Sequence, residues 1–272
     1  MSDALNHVYE TLDEQHRDES AATRRQIIAG AGAVVGSMGL LGVAQNAFAQ
    51  DAAPGRTHAP NTVENVVNIA ATAEVLATIV NTVGLERVAL DPVTKANIAA
   101  AAREELIHYQ TLVSDAVGAK PATKRIWVPD DVFASREGLL TTLVVGDQVF
   151  INAYLLGLTV FARGGGLRGS RFARFAAEFM GAEAVHRALA LQSLGRLGND
   201  RAFMRFAQRE PVGGLPTTGQ PGFYKITEAV DQLEAAGFGF GRPGAKAGGF
   251  YDFDEVARRT PDPATVNTRT LS

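Results

Sequence analysis

Four long stretches of the sequence carry a helical pattern of small and apolar residues, and none of them alternates with a period of two over a useful length. They run from about residue 60 to 84, 92 to 118, 136 to 163 and 170 to 194. Each stretch is too long for a strand. Helices of this length joined by short connections are typical of an antiparallel bundle. The sequence therefore predicts an all-α protein.

Residues that start and stop helices mark the ends of these stretches. Asp91 followed by Pro92 predicts an N-cap and a proline in the first turn of the second helix. Gly118 is expected to cap its C-terminal end. The glycine run 164–166 predicts the end of the third helix, and Ser170 is the expected N-cap of the fourth.

The remaining segments are less regular. Residues 119–135 contain two prolines and the only tryptophan, Trp127, which predicts a packed loop or a short helical turn. The bundle is expected to span residues 60–198. An irregular C-terminal extension, 199–272, is rich in Gly, Pro and aromatic residues, with short helices predicted near 200–208 and 227–236. We expect it to wrap the bundle rather than to form a core of its own.

The first 49 residues have the pattern of an export signal. The pair Arg24-Arg25 is followed by no charged residue until Asp51, and Ala47–Ala49 is an A-x-A-type cleavage site. The paired arginines indicate a twin-arginine (Tat) signal peptide at 1–49, with a linker at 50–59. We therefore expect export to the periplasm or cell envelope, with the Tat machinery as a partner. An uncleaved leader that tethers the protein to the membrane remains open, because the apolar run approaches spanning length.

Composition excludes several classes of function. The chain has no cysteine, which rules out disulfides, thiolate zinc sites, iron–sulfur clusters and cysteine nucleophiles. A formal net charge of −3 argues against nucleic acid as a partner. The glycines at 164–166 are not followed by the Lys-Ser/Thr of a phosphate-binding loop. No nucleophile elbow is present either.

The motif Glu-x-x-His occurs twice on apolar helical faces. Glu105 and His108 form the first pair, and Glu183 and His186 form the second. Residues three apart on a helix point the same way. A carboxylate and an imidazole on an apolar stripe need partners, because burying an unpaired charge is costly. A metal ion is one such partner.

A carboxylate precedes each motif by a similar distance. Glu74 lies 31 residues before the first motif, and Asp147 lies 36 residues before the second. Two helical hairpins of this kind would converge at the centre of a bundle. One Glu from each of two helices and Glu-x-x-His from each of the others is the ligand set of di-iron and di-manganese carboxylate bundles. Buried hydrogen-bonded Glu–His pairs that bind no metal are the open alternative.

The chain resembles the ferritin-like family over residues 60–198, in particular its exported branch that includes desiccation-related proteins. The resemblance is carried by the segments REELIH (103–108), AYLLG (153–157) with Asp147 shortly before it, and AEAVH (182–186). It implies a ferritin-like antiparallel four-helix bundle. It also implies metal ligands at Glu74, Glu105, His108, Asp147, Glu183 and His186.

Asp147 departs from the family pattern, which has Glu at this place. Its side chain is one methylene shorter, so we expect it to reach only one metal or to reach through water. If the dinuclear site is not symmetric, we expect Asp147 to be the residue that makes the two sides differ. The other carboxylates are expected to hold and bridge two iron or manganese ions, and each histidine is expected to add one terminal nitrogen.

The resemblance implies oxidation of Fe(II) by dioxygen or peroxide. A manganese-catalase-like enzyme that disproportionates peroxide is a second interpretation. A metal-free helical envelope protein in stress tolerance or protein interaction is a third. The pattern leaves open whether the chain forms a homo-oligomer.

Four further residues near the motifs receive a structural interpretation. Glu104 and Glu178 are expected on the solvated faces of their helices. Tyr109 and Tyr154 are expected to pack in the bundle with their hydroxyl groups at its edge.

Overall fold

The computed structural model describes residues 60–199, 223 and 225–262. This part of the chain is mostly helical, with 68% helix, six helices and a small sheet. The expected signal peptide at 1–49, the linker at 50–59 and the helix expected near 200–208 lie outside the described residues.

Four long helices form the main part of the fold. They are α1 (Val63–Arg87), α2 (Pro92–Val113), α3 (Arg136–Gly164) and α4 (Gly166–Ser193). The short elements are β1 (Arg125–Pro129), a 3₁₀ turn (Asp130–Val132), α5 (Thr227–Ala235), β2 (Gly239–Phe240), β3 (Gly248–Asp252) and α6 (Phe253–Ala257).

Side-chain caps fix the starts of three long helices. Thr62 Oγ1 accepts a hydrogen bond from Asn65 N at 3.1 Å. Asp91 caps α2 as predicted, because its Oδ1 accepts from Thr94 N at 3.0 Å and proline follows it. The Ser135 hydroxyl caps α3 in the same way. These bonds satisfy amide groups that have no partner inside the helix.

Two predicted helix ends are wrong. α4 begins at Gly166 rather than after Ser170, whose hydroxyl donates to the Gly166 carbonyl from inside the helix. Gly165 has φ 65° and ψ −178°, a conformation open to glycine, so one residue both ends α3 and starts α4. α2 ends at Val113 rather than at Gly118, which has φ 78° and lies in the turn that follows.

The long helices pack as neighbours around a shared apolar core. α1 packs against α2 and α3, and α4 packs against the same two helices. Arg136 at the start of α3 donates to the carbonyl of Ser193 at the end of α4. Thr94 near the start of α2 donates to Ser193 Oγ at 3.0 Å. The starts of α2 and α3 therefore lie beside the end of α4, which makes these pairs antiparallel.

A small sheet replaces the loop or helical turn expected at 119–135. β1 is the central strand and pairs antiparallel with β2 on one side and β3 on the other. The Trp127 indole donates to Lys246 O at 3.0 Å. The sequence pattern does not predict this strand, because it is only five residues long and both its partners follow more than 100 residues later.

Residues 225–262 of the expected extension pack on the long helices. α5 contacts α3, and α6 contacts α1. The hydroxyl groups of Thr82 and Thr260 are 2.7 Å apart in a buried contact. By length and composition α1 and α3 could each cross a membrane, but more than half of the apolar window of each is buried inside the protein.

Candidate metal site

Ionisable side chains from all four long helices are buried in the core. Glu74 comes from α1, Glu105 and His108 from α2, Asp147 from α3, and Glu183 and His186 from α4. The three glutamates have no exposed surface, and the other three side chains are at most 9% exposed. The core therefore contains four carboxyl groups and two imidazoles.

Four of these residues form a group that could hold a metal ion: Glu74, Glu105, His108 and Glu183. Each offers one ligand atom, and these atoms all lie within 4.8 Å of one another. His108 Nδ1 lies 3.6 Å from Glu74 Oε1, 3.5 Å from Glu105 Oε2 and 3.4 Å from Glu183 Oε1. We call this group the His108 side of the site.

The second Glu-x-x-His motif completes a paired arrangement. His186 Nδ1 lies 3.2 Å from Glu105 Oε1 and 3.6 Å from Glu183 Oε2. Each of the two glutamates therefore directs one oxygen toward His108 and the other toward His186. We call the His186 end of this arrangement the His186 side.

Asp147 is close to the His186 side but does not join the four-residue group. It is 4% exposed and interacts electrostatically with Glu183, His186 and Arg187. The structure thus brings five of the six predicted residues into mutual approach and leaves Asp147 beside them.

Two residues outside the predicted set contact it directly. His186 Nε2 lies 2.6 Å from Glu104 Oε2, and the Glu104 side chain is 41% exposed, so Glu104 lies on the solvated face as expected but also contacts the site. The Tyr154 hydroxyl donates to Glu74 Oε1, so Tyr154 does more than pack. The AYLLG segment was already singled out in the sequence. Glu104 belongs to the REELIH segment of the family resemblance, but it lies next to Glu105 on a different helical face and outside the Glu-x-x-His pattern.

An aromatic layer lies against the His108 side. The ring of Phe179 lies 4.1 Å from that of His108 and 5.5 Å from that of Tyr154, measured between centroids. Phe175 stacks on Phe179 in turn. Phe175 and Phe179 come from α4 and cover this part of the site with aromatic surface.

Electrostatics in the metal-free protein favour protons on the cluster. Burial alone would lower the pKa of His108, but Glu74, Glu105 and Glu183 raise it well above the usual 6.5. The pKa of His186 is also raised well above 6.5, because Glu104, Glu105 and Glu183 raise it by more than burial lowers it. Burial raises the pKa of Glu74 to about 7. In the metal-free protein, protons on these side chains therefore offset the negative charge of the buried carboxylates.

The donor atoms themselves fit metal ions better than hydrogen bonds. Within the described part of the chain, both carboxylate oxygens of Glu105 and of Glu183, and Nδ1 of both histidines, lack a hydrogen-bond partner. Buried polar atoms are normally paired. Two ligands that each lie about 2.1 Å from one ion are about 3 Å apart at right angles, close to the separations seen here. Carboxylates and imidazoles suit iron and manganese.

A small cavity leads toward the His186 side. His186 and Asp147 line one part of this cavity. Thr94, near the start of α2, and Ser193, at the end of α4, line another part. A cavity of about 20 Å³ has room for a water molecule. It offers an approach to the site from the helix ends.

Comparison with known proteins adds no relative. No protein-family model, curated protein or solved structure matches the chain.

Proposed function

We propose that this chain is an exported ferritin-like protein whose long helices form an antiparallel four-helix bundle around a dinuclear iron or manganese centre. One observation carries the proposal: Glu105 and Glu183 each direct one oxygen to His108 and the other to His186. Glu105 and Glu183 would each hold two ions from this position, one on each side. Four carboxylates would balance the charge of two divalent ions while both histidines stay neutral.

Each side chain has a defined part in holding the ions. Glu74 and His108 would be terminal ligands on one side, and His186 on the other. Glu104 accepts a hydrogen bond from His186 Nε2, which fixes the tautomer that leaves Nδ1 free for a metal. Tyr154 orients Glu74 through its hydroxyl group.

Two bound metal ions would supply one-electron chemistry at neighbouring positions. With Fe(II) as the substrate, two ions would give one electron each to peroxide, which takes up two protons to become two water molecules. The cavity beside Thr94 and Ser193 is the proposed route for ions to the His186 side. Asp147 lines that route and would receive an ion directly or through water.

The central experiment measures metal content. The mature protein is folded with Fe(II) or Mn(II) under argon, desalted and analysed by mass spectrometry. We expect about two ions per chain. Glu105→Ala combined with Glu183→Ala should abolish binding, whereas Glu178→Ala combined with Glu64→Ala should not, because these glutamates lie away from the cluster. Less than one ion per chain in the unaltered protein, unchanged by the double substitution in the core, would favour the metal-free helical envelope protein.

A second measurement separates the possible reactions. Oxygen evolution from peroxide by the manganese-loaded protein indicates a catalase-like enzyme, and peroxide consumption with Fe(II) but without oxygen release indicates Fe(II) oxidation. Export is tested separately. Arg24→Lys with Arg25→Lys should retain the protein in the cytoplasm if the leader is read by the Tat machinery.

A further inference from the structure

The connection between α3 and α4 carries a cluster of exposed arginines at one end of the long helices. They lie in the last turn of α3 and the first turns of α4: Arg163, Arg168, Arg171 and Arg174. No aspartate or glutamate occurs between Asp147 and Glu178. Because the formal net charge of the whole chain is −3, this positive charge is a local feature. We call residues 163–174 the arginine segment.

The contacts of these arginines leave their charge at the surface. Arg168 Cζ lies 5.1 Å from the ring centroid of Phe172, so its stem follows the helix. Arg174 Nε lies 3.6 Å from Glu178 Oε1, but the two side chains are 68% and 61% exposed. Exposed ion pairs of this kind are weak and are screened by salt. An external anion can therefore interact with both arginines.

The arginine segment works against the electrostatics of its own helix. The partial positive charge at a helix N-terminus favours acidic residues in the first turn. α1 and α3 carry Glu64 and Glu137 there, whereas the first turn of α4 has no acidic residue and contains Arg168. A local charge pattern that opposes stability is expected where a surface binds a partner of opposite charge.

Leu167 gives the arginine segment an apolar tip. Its side chain is 78% exposed, and it lies directly before Arg168 in the first turn of α4. Arginines beside an exposed leucine match a lipid interface, where the cations meet phosphate groups and the apolar side chain enters the acyl boundary. The phosphates of a nucleic acid would use the charges but not the leucine.

The arginine segment lies at the end of the long helices where α1 begins. Gly157, two turns before the end of α3, packs beside Val66 in α1, because a Cβ added to Gly157 would lie 3.2 Å from Val66 Cγ1. The chain reaches α1 from the expected export leader with its apolar run at 29–44. An uncleaved leader would hold this same end against a membrane.

We propose that the arginine segment binds the surface of a membrane that contains anionic phospholipids. Arg168 and Arg171 contact the phosphate groups, and Leu167 enters the boundary between headgroups and acyl chains. Each arginine near such a surface strengthens binding by roughly fivefold. The inference rests on surface charge and exposure, so it is independent of the proposed metal chemistry.

Co-sedimentation of the mature protein with lipid vesicles tests the proposal. The mature chain lacks the leader, which would bind lipid by itself, and keeps the described core, which lies within residues 66–256. Phosphatidylcholine vesicles with roughly 30% phosphatidylglycerol should bind the protein, and pure phosphatidylcholine vesicles should not. Binding should fall steeply between about 50 mM and about 500 mM salt.

A pair of double variants separates the arginine segment from net charge. Arg168→Gln with Arg171→Gln should weaken binding to the anionic vesicles at least about tenfold. Lys95→Gln with Arg258→Gln is the matched control, because it removes two exposed cations near the start of α2 and directly after α6. This control should bind like the unaltered protein.

A pair of single variants tests the apolar tip. Leu167→Gln should weaken binding by about threefold or more, because it removes the side chain that enters the lipid. Leu197→Gln is the control, since Leu197 is 74% exposed and lies beyond the other end of α4. Circular dichroism checks that each variant is folded.

Four results would overturn the proposal. They are no binding to anionic vesicles at low salt, equal binding to neutral vesicles, equal losses in the two double variants, and unchanged binding by Leu167→Gln. Duplex DNA that binds through the same arginines more tightly than the vesicles would assign the arginine segment to nucleic acid instead. Metal-free protein serves throughout, so failure here is distinct from failure of the metal site.

Discussion

The Glu104 carboxylate lies 2.6 Å from Nε2 of His186, on the side of the imidazole opposite the cluster. The hydrogen bond lowers the pKa of Glu104 and leaves His186 Nδ1 directed at Glu105 and Glu183. Partners of this kind fix the tautomer and orientation of a metal-binding histidine. Glu104 is therefore a positioning residue at the His186 side.

Removal of this carboxylate should weaken one of the two metal positions. Glu104→Ala is expected to lower the affinity for the more weakly held ion by about 10- to 100-fold. Glu104→Gln keeps an oxygen acceptor and should recover much of the loss. Metal titration followed by calorimetry measures both, with Glu178→Ala, an exposed glutamate on α4, as the control. An unchanged Glu104→Ala titration would show that the contact does not position His186.

The contrast between Glu104 and Glu105 shows how far the sequence could predict this site. The sequence identified Glu105 because it forms a Glu-x-x-His pair with His108 and shares a helical face with Ala101, Ala102 and Leu112. Glu104 lies on the adjacent face, and its contact depends on how α2 and α4 are aligned, which periodicity does not determine. β1 was missed for a related reason, since the strands that pair with it come from the far end of the chain.

The stability of the metal-free protein should fall as pH rises. Glu74, with its pKa raised to about 7 by burial, holds a proton in the folded state that the unfolded chain has lost above pH 4.5. The histidines, with pKa values raised well above 6.5, contribute stability below pH 6.5 that is lost as pH rises through their folded values. Both effects lower the free energy of unfolding as pH rises.

Urea unfolding of the metal-free protein at pH 5 and pH 8 measures this loss. We expect it to be on the order of 3 kcal/mol. Metal ions replace the protons, so the stabilisation by added Mn(II) should grow over the same range. Glu74→Gln, which cannot ionise, should flatten the metal-free profile. A metal-free protein that is more stable at pH 8 than at pH 5 would contradict the protonated cluster.

Tyr154 should contribute to the stability of the metal-free core through its hydroxyl group. Tyr154 is 5% exposed and donates to the buried Glu74 carboxylate, whose pairing Tyr154→Phe would remove. The expected cost is about 1–3 kcal/mol in the free energy of unfolding at pH 8, where more of Glu74 is ionised. Tyr109→Phe is the control, because Tyr109 is similarly buried and packs on Phe253, and its hydroxyl group faces the partly exposed Lys124 side chain instead of a buried carboxylate. Equal losses for both variants would assign Tyr154 to packing alone.

The two carboxylates that precede the Glu-x-x-His motifs should differ in their effect on metal binding. Glu74 lies in the four-residue group, 3.6 Å from His108 Nδ1, whereas Asp147 lies outside that group and interacts with Arg187 as well as with the cluster. Glu74→Gln would remove a charge from the group that could hold an ion. Asp147→Asn would remove a charge from a position beside that group.

Metal titrations should therefore show a larger loss of affinity for one variant than for the other. We expect Glu74→Gln to weaken the ion at the His108 side by more than about 100-fold, because charged ligand contacts contribute about 3 kcal/mol or more. Asp147→Asn should weaken the ion at the His186 side by roughly tenfold or less, as a charge one shell away would. Asp147→Glu restores the missing methylene and should tighten the second ion if Asp147 falls short of it. A loss with Asp147→Asn as large as that with Glu74→Gln would make Asp147 a direct ligand and the site symmetric.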